Sequence, residues 1–281
     1  MKYVTCDKKI VIEDLSEFNI EHILDCGQVF RYRKTGDCYT LFAKNFNCLL
    51  RKENDRVIIE TEEPEFFVDY FDLKRDYSAI KKSLTENFEG IKPAVEYGYG
   101  IRLLNQDPYE MIISFIISAN NNIPRIKKII ERLCEGLGEK TERGYAFPTK
   151  EAMANAPKEF FASIGAGYRD EYLFSSSKTL LNMNLDEIKK SDTATARKEL
   201  LKLKGVGQKV ADCILLFAFK KTDLFPMDVW SKRIYASMGY ERDNDIGRMS
   251  GRLVDRFGDL AGYAQQYLYY YFRENNITEN K

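Results

Sequence analysis

The chain has one histidine and one tryptophan in 281 residues, and its six cysteines include no close pair. A single His22 leaves Ser-His and Cys-His catalysis, and histidine-rich metal sites, short of the imidazoles they need. Cys6, Cys26, Cys38, Cys48, Cys134 and Cys213 are all well separated, whereas zinc and iron-sulfur sites use closely spaced cysteines, so no iron-sulfur cluster is expected. In a reducing compartment they read as free thiols. Long apolar runs are also missing. The longest candidates, Met111 to Ile117 and Cys213 to Phe219, fall far below the roughly 18 to 20 residues of a bilayer span. The first residues lack the apolar core of a signal peptide. A protein with no membrane contact, placed in the cytoplasm, is the expectation. Net charge is zero, with 43 basic and 43 acidic groups, and so gives no argument for a polyanionic partner. Its distribution says slightly more: residues 1–93 hold 15 basic and 18 acidic groups, leaving residues 94–281 mildly basic.

Eighteen Tyr and 18 Phe are too many large apolar groups for a disordered chain, and the length suits two domains. From Lys9 to about Glu62 the text is rich in β-formers, as in Lys9–Ile12, Gln28–Tyr32, Tyr39–Ala43 and Arg56–Thr61, with turn signals between them. An antiparallel meander is the economical reading. After Pro64 the period becomes 3.6, with helices expected at about 77–88, 108–117, 124–137, 159–164, 170–182, 195–203, 208–220, 228–238, 249–257 and 263–273. The fold class is therefore α+β: a small N-terminal antiparallel sheet domain (1–93) precedes a mostly α-helical domain (94–281).

Residues 195–221 carry the first chemical signal. Leu200 to Asp212 reads as helix, four-residue hairpin Lys204-Gly205-Val206-Gly207, and second helix, whose free first-turn N–H groups can hold a phosphate oxygen. Taken alone, the turn reads first as a join between two packed helices. Lys209 sits in the first turn of the second helix, where the positive end of the dipole is expected to lower the amine's pKa. Cys213 and Phe217 follow on the same face. Nineteen residues after Lys209 stands Asp228, a natural N-cap for the next helix. Brought beside Lys209, it would supply a carboxylate to a nucleophile and stabilise positive charge developing at a sugar carbon.

With the run Val210-Ala211-Asp212-Cys213-Ile214 and the segment Pro226-Met227-Asp228-Val229, this arrangement resembles the 8-oxoguanine DNA glycosylase/lyase family of the helix-hairpin-helix DNA glycosylase superfamily. Gly100 to Pro108, Ser118 to Arg125, Gly167-Tyr168-Arg169, Gly262 to Gln265 and Cys26 to Arg31 are each similar to family segments, in order across roughly residues 20–272.

The resemblance implies a partner, duplex DNA containing 8-oxoguanine, and a monomeric enzyme that needs no cofactor. It implies that Lys209 attacks C1′ and forms a Schiff base, that β-elimination nicks the strand, and that Asp228 supports the sugar cation. Asn120 would fill the place of the flipped nucleotide, with Tyr168 as the wedge beside it. Arg125 and Arg169 would read the orphaned cytosine. The Gly27 carbonyl would accept from N7–H of 8-oxoguanine, a donor that guanine lacks. Cys213 and Tyr269 would sandwich the base beside Phe217, and Gln265 would bind its Watson-Crick edge. Gly205, Gly207 and Gln208 would meet the DNA backbone, while the backbone carbonyls of Leu201, Leu203 and Val206 would hold a structural monovalent cation. A purely DNA-gripping helix-hairpin-helix module would account for the glycines but not for Lys209 together with Asp228, whereas a glycosylase for another modified purine would keep both and differ at Gly27 and Gln265. Three departures bear on pocket shape and DNA affinity: Trp230 stands where family members carry a His, Tyr269 replaces a Phe, and Phe217 replaces a smaller, flexible side chain.

Overall fold

The computed structural model describes residues 1–241 and 243–277. Six strands make one antiparallel sheet: β1 (Tyr3–Cys6), β2 (Lys9–Ile12), β3 (Tyr32–Thr35), β4 (Cys38–Ala43), β5 (Phe46–Glu53) and β6 (Arg56–Glu60), in the spatial order β1-β2-β6-β5-β4-β3. Two-residue turns close the hairpins β1–β2, β3–β4, β4–β5 and β5–β6. The first turn residue, Asp7, Gly36, Lys44 or Asn54, has a positive φ, which matches the turn's twist to that of the strands. The chain leaves the sheet after β2 through a short helix (Ile20–Asp25), returns at the far edge as β3, and meanders back until Ile59 of β6 faces Ile10 of β2. Ile10, Ile12, Leu41, Leu50 and Ile59 are then buried with Phe67 and Phe71, the first of which lies on the helix Pro64–Tyr70.

The sheet departs from the expected meander in one place that matters. Gln28 to Arg31 is not strand, because the Gln28 side chain takes up the backbone of a distant segment. Its amide donates to the carbonyls of Ile23 and Arg102 at 3.0 and 2.8 Å and accepts from the Leu104 N–H at 2.9 Å. Strands β2, β4 and β6 form where expected, β3 begins only at Tyr32, and β1 and β5 add to them. β1 is an exposed edge, and in β5 the buried Cys48 and Leu50 flank Leu49, so the sequence shows an apolar run where the burial alternates.

All ten expected helices form within a few residues of their expected ends, and five short ones of six or seven residues join them, at Ile20–Asp25, Pro64–Tyr70, Lys92–Tyr97, Lys150–Asn155 and Leu185–Lys190. Fewer than two turns display a 3.6-residue period poorly, and of the described helices that short only Lys158–Ser163 was expected. The centre of the helical region is the helix Pro108–Ser118, buried from Tyr109 to Ile117 and packed on the hairpin helix Gln208–Phe219. The two cores interleave along the chain: Tyr77, Leu84 and Ile91 join the helical core, while Leu104 joins the sheet core. Charged side chains bind the two regions. Arg31 and Glu110 form a buried ion pair at 3.2 Å, and Lys220 reaches Asp72 at 2.6 Å.

Candidate active site

The second hairpin helix begins without a side-chain cap at Gly207. Among the described residues the first-turn N–H groups of Gln208, Lys209 and Val210 find no acceptor, and the exposed turn leaves them to an outside anion. Gly205 is required here twice over. Its φ is +88°, and a Cβ would lie 2.6 Å from the ring of Tyr172. The hairpin is held against the helix Asp170–Leu181 by Ser176 Oγ, which donates to the Lys204 carbonyl at 2.9 Å, and by the Lys204–Glu171 ion pair at 2.8 Å.

Seven of the residues singled out in the sequence, Gly27, Lys209, Cys213, Phe217, Asp228, Gln265 and Tyr269, line one cavity. Phe115, Pro226, Cys26 and Gln266 complete its wall. The free volume is about 40 Å³, little more than the roughly 30 Å³ that one water occupies, so a purine enters only after side chains move. Phe217 stacks on Phe115 with ring centres 5.7 Å apart and planes 12° from parallel, and Tyr269 lies against Gly27. Asp228 caps the helix Val229–Ser237, its carboxylate accepting from the Ser231 N–H at 2.8 Å. The cap keeps one oxygen fixed and the carboxylate beside the lysine.

The electrostatics of Lys209 run opposite to the expectation from the helix dipole. Its amine is raised above the ordinary lysine value, first by the negative charge that Cys213 carries when ionised, then, against the opposing effect of burial, by Asp228. Burial pushes the Cys213 thiol up to about 11. At neutral pH that thiol is therefore uncharged, and Asp228 is the anion beside the ammonium.

The residues assigned to the DNA duplex form a second group at the end of the helix Pro108–Ser118. Asn120 is exposed and has φ +48°, an uncommon conformation for a side-chain-bearing residue. Asn122 caps the helix Ile123–Leu137 by accepting from the Arg125 N–H at 3.0 Å. Tyr168 is 53 % exposed, whereas Arg169 is 1 % exposed. The Arg169 guanidinium donates to the carbonyls of Ala119, Asn120 and Ala166 and lies 4.3 Å from the Tyr168 ring. Arg125 is exposed and donates to the Gly165 carbonyl at 3.1 Å. Tyr172 touches both Tyr168 and Gly205, so it links this edge to the hairpin.

Residues 10–112 match the family model described as 8-oxoguanine DNA glycosylase, N-terminal domain, and residues 113–258 match that of the HhH-GPD superfamily base excision DNA repair proteins. The chain belongs to the 8-oxoguanine DNA glycosylase family. It is a DNA glycosylase/AP lyase of base excision repair. A probable N-glycosylase/DNA lyase of Methanothermobacter thermautotrophicus is 32 % identical over 234 residues, 74 % of each chain. The N-glycosylase/DNA lyase of Saccharomyces cerevisiae is 36 % identical over 153 residues, 48 % of this chain and 41 % of the yeast protein. The 8-oxoguanine glycosylase/lyase of Clostridium acetobutylicum, solved with double-stranded DNA containing cytosine opposite 8-oxoguanine, superposes with a TM-score of 0.92 at 38 % identity, covering 99 % of both chains.

Two wall residues of the glycosylase pocket, Phe115 and Gln266, escaped sequence reasoning, as did Arg273 beside the Tyr269 ring. Phe115 lay hidden in an apolar run. Gln266 and Arg273 were detectable as polar residues on a helix, Ala261–Glu274, that is otherwise rich in tyrosine. Two further expectations concern ions and membranes. Among the described residues, the carbonyls of Leu201 and Val206 accept no hydrogen bond, and that of Leu203 accepts only from the Val206 N–H at 3.1 Å. Free lone pairs on one turn fit a monovalent cation. No group of His, Cys, Asp and Glu among the described residues is suited to a metal ion, and no helix there is long and apolar enough to cross a membrane.

Proposed function

We propose that this glycosylase releases 8-oxoguanine from duplex DNA, with cytosine preferred opposite the lesion, and nicks the strand through a Schiff base on Lys209. The observation that carries the reading is the company Lys209 keeps: one cavity wall holds the amine, the Asp228 carboxylate, and two acceptors without donors. These are the buried Oε1 of Gln265, which has no partner, and the carbonyl of Gly27, which accepts no hydrogen bond among the described residues. A buried acceptor without a donor is costly and is normally satisfied. 8-Oxoguanine brings donors at N7 and on its Watson-Crick edge, and so supplies both.

Chemistry follows from the same wall. The ammonium of Lys209 must lose a proton to solvent before it can attack, while Asp228 keeps its carboxylate beside the amine. The Nζ lone pair then forms a bond to C1′ as the C1′–N9 bond breaks, the pair leaving with the base, which takes up a proton. While the sugar carries positive charge, the Asp228 carboxylate stabilises it. Ring opening gives the imine, and loss of a C2′ proton expels the 3′ phosphate. The hairpin N–H groups, with Gln208, hold a backbone phosphate, and the hairpin carbonyls hold a cation that steadies the turn. Because every group named comes from one chain, a monomer suffices, acting in the cytoplasm.

The test is borohydride trapping on a duplex with one 8-oxoguanine opposite cytosine. A covalent protein-DNA adduct that disappears in Lys209→Gln is expected. No adduct with the unaltered protein, or an adduct that persists in the variant, removes Lys209 from the nucleophile role.

A further inference from the structure

We infer that Gln266 and Arg273 are positioning residues that present the Gly27 carbonyl to the lesion, an inference that rests on the lesion-reading role proposed above for Gly27. The turn from Asp25 to Gln28 has four consecutive carbonyls. That of Asp25 accepts from Arg273 Nη2, that of Cys26 from Gln266 Nε2 at 2.5 Å, and that of Gln28 from Gln106 Nε2 at 2.8 Å. Among the described residues only the Gly27 carbonyl, at the cavity wall, is left without a donor. Side-chain donors have taken every neighbour that could compete for a ligand's N–H.

Two of those donors come from one helix. Gln266 and Arg273 are seven residues apart on Ala261–Glu274 and so share a face, and the same helix carries Gln265 and Tyr269. Arg273 lies 5.3 Å from the Tyr269 ring, and a Cβ on Gly27 would meet Tyr269 Cε1 at 3.2 Å and Arg273 Nη1 at 3.5 Å. Gly27 itself has φ +82°, a conformation few other residues would hold. The helix therefore fixes, as one rigid piece, the side chain that takes the Watson-Crick edge, the ring that stacks on the base, and the turn that takes N7–H. Guanine and 8-oxoguanine differ at N7 in whether a hydrogen is present. Discrimination between them then depends on how well that one carbonyl is aimed, whereas grip on the sugar and phosphates does not.

The test uses the Lys209→Gln protein, which prevents turnover, with three duplexes carrying 8-oxoguanine, guanine or a tetrahydrofuran abasic analogue opposite cytosine. Gln266→Met and Arg273→Met are each expected to lower the 8-oxoguanine-to-guanine affinity ratio about tenfold, the scale of one hydrogen bond with a charged or buried partner. Affinity for the abasic analogue should stay within about twofold, and Arg273→Lys, which keeps a donor for the Asp25 carbonyl, should recover most of the ratio. An unchanged ratio in both Met variants overturns the inference, as does a loss of abasic-analogue affinity equal to the loss for 8-oxoguanine, which would mark a structural role. If the protein with Gln266 and Arg273 intact shows no preference for 8-oxoguanine over guanine, the reading of Gly27 itself fails.

Discussion

The base pocket and the edge that would meet the opposite strand hold their polar groups in contrasting states. In the pocket, among the described residues, Gln265 Oε1 is buried without a donor and the Gly27 carbonyl accepts no hydrogen bond, while Lys209 and Asp228 share a cavity of about 40 Å³. At the edge, Arg169 and Arg125 already donate to carbonyls of their own loops. One site lacks partners and the other must exchange them. A ligand entering the pocket gains hydrogen bonds outright, whereas a cytosine at the edge gains only the difference between its own acceptors and the backbone oxygens it displaces. The contrast ranks the consequences of substitution: pocket changes should fall on rate, edge changes on selectivity and on the stability of the loop.

The largest effect is expected from Asp228→Asn. Asn still caps the helix Val229–Ser237, so the fold is preserved, while single-turnover base release should fall about 10²- to 10³-fold through lost electrostatic stabilisation. The pH profile gives a second readout. An amine raised above its ordinary value is reactive only as pH climbs toward that value, so base release by the unaltered enzyme should rise with pH. Removing Asp228 takes away one of the charges that hold Lys209 protonated, and the rise should move to lower pH. A profile that does not move would separate Asp228 from Lys209. Next in size is Arg169→Met, which leaves the carbonyls of Ala119, Asn120 and Ala166 without their donor. Denaturant unfolding should show a loss of about 3 kcal/mol. A loss below about 0.5 kcal/mol would mean that the guanidinium is free for DNA and does not fasten the turn.

How much of this was legible in the sequence follows the same division. The hairpin, Lys209 and Asp228 could be read because turn glycines, a first-turn lysine and an N-cap aspartate are local devices that a few residues specify. The longer helices were legible for the same reason, since each displays its period within itself. Gln28 could not be read as anything but strand. Its partners, Arg102 and Leu104, are more than 70 residues away, and only the fold brings them to its amide. The pairing of Gln266 with Cys26, 240 residues apart, is the extreme case. The direction of the Lys209 shift was misread because a helix end is visible in sequence, whereas the burial of the Lys209–Cys213 face and the placing of Asp228 beside it are set by the fold. For Arg169 a resemblance pointed outward to DNA, and only the burial of its side chain shows how many of its donors bind the turn.

Arg125 should behave differently from Arg169 although both are arginines of the same edge. It is exposed and has one carbonyl partner, so Arg125→Ala should cost little stability, yet it should narrow the preference for cytosine over adenine opposite the lesion by about 1 to 3 kcal/mol. An unchanged cytosine-to-adenine ratio of base release would remove it from that role.

Asn120→Gly makes the smallest change to the fold and the sharpest cut between the two regions. At φ +48° the Asn side chain sits on a conformation that glycine adopts freely. Gly also has more freedom to lose on folding, so the two effects should nearly cancel and leave unfolding within about 0.5 kcal/mol of the original. No pocket group moves and no buried bond breaks, because the Asn120 atom that Arg169 binds is the backbone carbonyl, which glycine retains. What disappears is the side chain that would occupy the space of the flipped nucleotide. Base release should therefore fall about tenfold or more, the unfilled step losing a few kcal/mol of stacking. Nicking of a preformed abasic site, where no base has to be extruded, should hardly change. Equal losses on both substrates would place Asn120 with the general grip on DNA, and unchanged base release would show that the strained turn serves only to position Arg169.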